Sequence, residues 1–184
     1  MNEKDKKRIS KFLSLVLRHQ PEYINIIINE KGWVNILELI NNAKTKNFHF
    51  SKDELKEIVE TNDKQRFAFN EDYTQIRANQ GHSLVAVDLE LEVTKPPGVL
   101  YHGTVGKFID SIKNQGLKKR SRQHVHLSAE INTAVKVGSR RGKPIILTVD
   151  SDKMYKEGFE FFQSKNGVWL TNKVPFEFID FNKS

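Results

Sequence analysis

The sequence predicts an α+β protein of two lobes, a helical one over residues 1–95 and a strand-rich one over residues 96–184. Three observations carry the prediction. Three helices are marked before Thr61, the first by an apolar stripe at helical spacing and the other two by their capping residues. Beyond "TKPPG" at 94–98 the apolar runs become short and strand-like. The charge divides the same way: residues 1–95 hold 15 Lys+Arg against 15 Asp+Glu, and residues 96–184 hold 15 against 8, which accounts for the whole net charge of +7.

The first helix is expected over Ile9–Gln20, where Ile9, Phe12, Leu13 and Val16 form one stripe and Pro21 stops the run. Asn35 can cap a second helix through "ILELINNAK", and "SKDE" at 51–54 is a capping box opening a third. "RFAFNEDYTQIRA" reads as a β-hairpin turning at Asn70–Asp72, with Arg66 on the face opposite Phe67 and Phe69. Three helices followed by a hairpin is the pattern of a winged-helix lobe. Val85, Val87, Leu89, Leu91 and Val93 alternate as a strand. The consecutive prolines Pro96 and Pro97 mark the lobe boundary. After them, "VLYHGT" reads as a strand and "VGKFIDSIKNQG" as a helix stopped by Gly116. "HVHLS" is a short strand, and Ser128 can cap the helix "AEINTAVKVG". Strands at "PIILTV", "GVWLT" and "PFEFIDF" complete the lobe.

The composition is that of an ordinary folded chain with no membrane-span-sized apolar run, and the polar start "MNEKDKKR" is unlike a signal peptide. The absence of cysteine excludes disulfides and thiolate catalysis and argues against zinc. A cytoplasmic enzyme or binding protein that is a monomer is the expectation. Eight basic residues between Leu117 and Lys143 face a single acidic one, Glu130, a balance that suits a phosphate-bearing partner and equally suits a solvated basic surface.

The residues capable of chemistry are scattered. Arg18 lies about 180° around its helix from Ile9, so neither it nor His19 is needed for the apolar stripe. Arginine's planar fork suits bidentate phosphate recognition, and a histidine titrating near neutrality can protonate a leaving oxygen. Arg18 could equally pair with Glu22 on the surface. In "YHGT", Gly103 would let a ligand approach the backbone, Thr104 adds a hydroxyl and His102 could bind a ribose hydroxyl; the same tripeptide also makes an ordinary turn. His124 and His126 share a strand face, but no nearby carboxylate or cysteine completes a metal ligand set, so no metal is expected. Neither a Walker A motif nor G-x-G-x-x-G is present.

Taken together, "SKFLSLVLRHQPE", "KQRFAF", "IRANQGHS", "LYHGT", "HVHLS", "VGSRRGKPIILTVD" and "NGVWLT" resemble, in order and spacing, the RNA 2′-phosphotransferases. The resemblance implies a winged-helix-like RNA lobe and an ADP-ribosyltransferase-like lobe that binds NAD. It implies transfer of an internal RNA 2′-phosphate, as at a tRNA splice junction, to ADP-ribose through an ADP-ribosylated RNA intermediate. The products are 2′-OH RNA, nicotinamide and ADP-ribose 1″,2″-cyclic phosphate. Carried over motif by motif, the catalytic positions fall on Arg18, His19, Arg66 and Arg122. The NAD-binding positions fall on His102, Gly103, Thr104, His126, Leu127 and Ser128, and RNA contacts on Arg77, Gln80 and His82. Val168 stands where many protein-modifying ADP-ribosyltransferases carry a catalytic glutamate. Two rival readings are a non-catalytic nucleic-acid-binding protein and an ADP-ribosyltransferase acting on terminal phosphates of nucleic acid.

Overall fold

The computed structural model describes residues 1–84 and 91–181, and the chain is of mixed helix and sheet, α+β. It divides into two compact units, Met1–Glu90 and Leu91–Ser184.

In the first unit, α1 spans Glu3–Arg18 and starts earlier than its apolar stripe, because the Asn2 side chain accepts from the Asp5 N–H and caps it. It also stops two residues short of Gln20: His19 already has φ −130°, and Pro21 opens a 3-10 turn over Pro21–Ile24. α2 (Ile36–Ala43) is capped by Asn35, whose Oδ1 accepts from Leu37 and Glu38. α3 (Lys52–Glu60) carries the full Ser51–Glu54 capping box. The hairpin forms from β2 (Phe67–Phe69) and β3 (Gln75–Ala78), its turn held by Asn70 and Asp72 on the Thr74 N–H. A two-residue strand, β1 (Val34–Asn35), joins it in a three-stranded antiparallel sheet of order β1-β3-β2. Leu13, Val16, Leu17, Leu39, Leu55 and Ile76 are fully buried between helices and sheet.

The second unit is built on β4 (Val99–Val105) paired antiparallel along its length with β7 (Pro144–Asp150). Two further small sheets combine β6 (Val125–Leu127), β9 (Trp169–Thr171) and β8 (Phe161–Gln163), and β10 (Lys173–Val174) with β5 (Leu117–Lys118). The helices are α4 (Ile109–Gln115), α5 (Ile131–Gly138) and α6 (Ser151–Lys156). α4 begins later than expected, because Gly106–Phe108 forms a 3-10 turn first. "PFEFIDF" is only partly a strand: Pro175 leads into a 3-10 turn over Phe176–Phe178 that leaves Phe176 outside and Phe178 inside, and β11 is confined to Ile179–Asp180. Ser128 does not cap α5; its hydroxyl bonds the Glu130 backbone, and the helix starts at Ile131. Of the strand expected around 85–93, residues 85–90 lie outside the described residues, and Val93 makes an isolated antiparallel bridge to Phe162. "TKPPG" packs closely on α6, where Pro97 O accepts from Ser151 Oγ at 2.6 Å and Gly98 O from Asp152 N. No helix among the described residues is long and apolar enough to cross a membrane.

Candidate active site

In the first unit the chemistry collects where α1 ends. Arg18 is the last helical residue, half-buried, with its guanidinium 5.9 Å from the Phe67 ring centroid and Nη2 donating to the Arg66 carbonyl at 3.4 Å. Helical phase alone placed Arg18 on the outer face; β2 and the segment after β3 cover that face. Arg66 precedes β2, and its Nη1 donates to Asn62 Oδ1 at 3.2 Å. The structure therefore brings Arg18, His19 and Arg66 into one neighbourhood.

The "NQGHS" segment closes this corner. Gly81 has φ +83°, a conformation that favours glycine, and a Cβ there would lie 3.5 Å from Arg18 Nη1. Ser83 N donates to the Arg18 carbonyl at 2.9 Å, satisfying one of the orphan acceptors of the helix end. Ser83 Oγ lies 3.0 Å from His19 Nδ1 and 3.4 Å from the same Arg18 carbonyl. With the hydroxyl proton directed to that carbonyl, Ser83 accepts from Nδ1–H, and an imidazolium's second proton sits on Nε2. Ser83 was missed as a site residue in the sequence, although the glycine before His82 marks the turn that delivers it.

His82 is completely buried, and neither ring nitrogen has a hydrogen-bond partner among the described residues. Burial, reinforced by the positive charges of Arg18, His19 and Arg77, pushes its pKa down to about 4. The ring is thus neutral at pH 7 and serves as packing beneath the cations. Arg77 is 9% exposed, its guanidinium 4.5 Å over Trp33 and donating to the Lys31 carbonyl at 3.2 Å. Gln80 is half-buried.

In the second unit "YHGT" and "HVHLS" lie side by side. Tyr101 and Ser128 exchange backbone hydrogen bonds of 2.8 and 2.9 Å, joining the end of β6 to β4. His102 Nδ1 is 3.1 Å from the His126 carbonyl; a carbonyl only accepts, so His102 carries its proton on Nδ1 and keeps Nε2 as an acceptor. Burial, aided by the Arg122 charge, holds the His102 pKa below the ordinary histidine value, against the opposing His126 carbonyl. Arg122 Nη1 donates to His126 Nδ1 at 3.2 Å, which places the His126 proton on Nε2. Partial burial and the charges of Arg141 and Arg140 lower the Arg122 pKa, yet a guanidinium stays charged. Thr104 is buried, and the Leu127 side chain belongs to the core of this unit. What requires glycine at 103 is α5: a Cβ there would lie 1.9 Å from the Ala134 carbonyl oxygen. Val168 sits in the turn before β9, its backbone bonded to Ser164.

The first unit thus presents an arginine–histidine corner at a helix end, and the second a strand edge that carries Arg122, His126, His102 and Thr104. Residues 4–173 match the family described as RNA 2′-phosphotransferase, Tpt1 / KptA family. The chain is 58% identical to a probable RNA 2′-phosphotransferase of Flavobacterium johnsoniae, over 98% of its own length and 99% of that protein's. It is 51% identical to the Rhodopirellula baltica counterpart, over 94% of each chain. With that of Pectobacterium atrosepticum it shares 50% identity over 93% of its length and 95% of the relative's. The chain belongs to the RNA 2′-phosphotransferase family.

Proposed function

We propose that this protein removes an internal 2′-phosphate from RNA, using NAD as co-substrate and releasing 2′-OH RNA, nicotinamide and ADP-ribose 1″,2″-cyclic phosphate. The observation that carries the reading is the closed corner at Arg18–His19, clamped by Gly81 and Ser83, in a chain that matches the family over nearly its whole length. The order of three helices and a hairpin supports a winged-helix-like RNA lobe, and the strand-rich second unit an ADP-ribosyltransferase-like lobe.

Arg18 and Arg66 in the first unit act as the phosphate's electrostatic partners, stabilising charge on its oxygens during transfer, and Arg122 is the catalytic cation of the second unit. His19, oriented by Ser83 through Nδ1, is the general acid that protonates the RNA 2′-oxygen as it leaves. The donor and acceptor set at His102, Thr104, His126 and Ser128 fits a nucleotide ribose, because His102 presents Nε2 as an acceptor for a hydroxyl. Bound NAD supplies the anomeric carbon that receives the phosphate oxygen and a nicotinamide leaving group. Arg77 and His82 support the RNA side of the site from below, and Gln80 is its more exposed member.

The test is an oligoribonucleotide bearing one internal 2′-phosphate, incubated with the protein and NAD. Release of nicotinamide together with a 2′-OH product is expected, and an unchanged oligonucleotide overturns the reading. His19→Ala should still release nicotinamide but accumulate RNA carrying ADP-ribose on its 2′-phosphate; full conversion by this variant removes His19 from the mechanism.

A further inference from the structure

The excess charge of the second unit is not spent on the residues assigned above. Phe108, half-buried at the turn before α4, has three cations around its ring: Lys107 Nζ at 5.1 Å, Arg120 Cζ at 5.2 Å and Arg141 Cζ at 6.0 Å from the centroid. They come from three separate segments, and all three residues are exposed. Arg140 and Arg141 also lie close enough to Arg122 to lower its pKa, so the cluster is continuous with that arginine. Lys107, Arg120 and Arg141 take no part in the ion pairs made by Met1, Lys6, Arg8, Lys56 and Lys156. Each cation–π contact at an exposed site is worth only about 0.5–1 kcal/mol, and the like charges repel one another. A gathering of this kind lacks an anion.

We propose that the Phe108 cluster is a docking track for the phosphodiester backbone of the RNA at nucleotides flanking the reacting one. The proposal rests on the RNA reading above. A dinucleotide carries a single pyrophosphate, whereas Lys107, Arg120, Arg140, Arg141 and Arg122 spread five positive charges over three segments; a polyanion matches that spread better. Arginines and an aromatic ring interleaved on an exposed surface are the combination by which proteins follow single-stranded chains without reading sequence. A flanking track would let the protein hold many RNAs through one reacting phosphate.

The experiment compares wild type with Lys107→Glu/Arg141→Glu, and with the milder Lys107→Gln/Arg141→Gln in case charge reversal perturbs folding. Fluorescence anisotropy measures binding of an unmodified RNA of about 20 nucleotides, which needs no turnover and so reads the track even if the proposed reaction fails. Affinity is expected to fall roughly tenfold at low salt, and the slope of log K against log salt to shrink by about 1.4, near 0.7 for each lost phosphate contact. The KM for a 2′-phosphorylated trinucleotide and the KM for NAD should stay at wild-type values. Unchanged binding of the long RNA overturns the proposal. So does an equal loss on the trinucleotide, which would place the cluster at the reacting phosphate, or a raised KM for NAD, which would make it a dinucleotide site.

Discussion

His82 shows what a buried residue of the site does with its charge. Its folded pKa of about 4 lies below the ordinary histidine value of 6.5, so the unfolded chain takes up a proton that the folded one refuses. The stability contributed by the neutral ring is complete above pH 6.5 and is lost as pH falls toward 4. Between pH 7 and pH 5 this linkage amounts to about 2 kcal/mol. Urea denaturation at the two pH values should show that loss in wild type and a smaller one in His82→Gln. Ser83 acts by direction rather than by charge. Ser83→Ala removes a hydroxyl placed between His19 Nδ1 and the Arg18 carbonyl, and should lower kcat about tenfold with little change in KM for RNA. Ser83→Thr, which keeps the hydroxyl, should recover most of the loss.

Among the elements, β4 and α5 are the least forgiving pair. Gly103 and Gly138 face each other across their contact, and a Cβ at 138 would lie 3.1 Å from the Thr104 carbonyl oxygen. Gly103→Ala drives a methyl into the α5 backbone, and a loss of at least 1–3 kcal/mol is expected, read as a lowered Tm. The strand that carries His102 and Thr104 moves in the same change, so activity should fall with stability. The sequence made much of this level legible, because caps and turn residues are local chemistry: Asn35, the Ser51–Glu54 box and the Asn70–Asp72 turn all stand where side chains alone put them. The strands β5, β8 and β10, of two or three residues each, were not legible, since their pairing depends on partners distant along the chain. Gly103 pointed to close approach, but only the fold reveals that the approaching group is a helix.

Across the whole chain there are two cores, one around Leu13, Leu39, Leu55 and Ile76, the other around Leu100, Leu147, Met154 and Phe161. A cavity in one core should therefore be felt chiefly by its own unit. Leu13→Ala, which empties a fully buried site, should cost about 2–5 kcal/mol. Hydrogen exchange should then quicken across Met1–Glu90 and change little in Leu91–Ser184; uniform loss of protection in both would show that they unfold as one. The candidate site follows this division. Arg18, His19 and Arg66 could be recognised as spare polar residues from helical phase and strand alternation, but their shared corner could not. It depends on Ser83, 65 positions from Arg18 along the chain.

That last hydrogen bond also has a consequence in time. The carbonyl at the end of α1 is satisfied by the Ser83 N–H, so the arginine–histidine corner is finished only after the intervening helices and hairpin have taken their places. A refolding chain should regain its helical signal first and its catalytic competence later, with the delay set by the arrival of one serine.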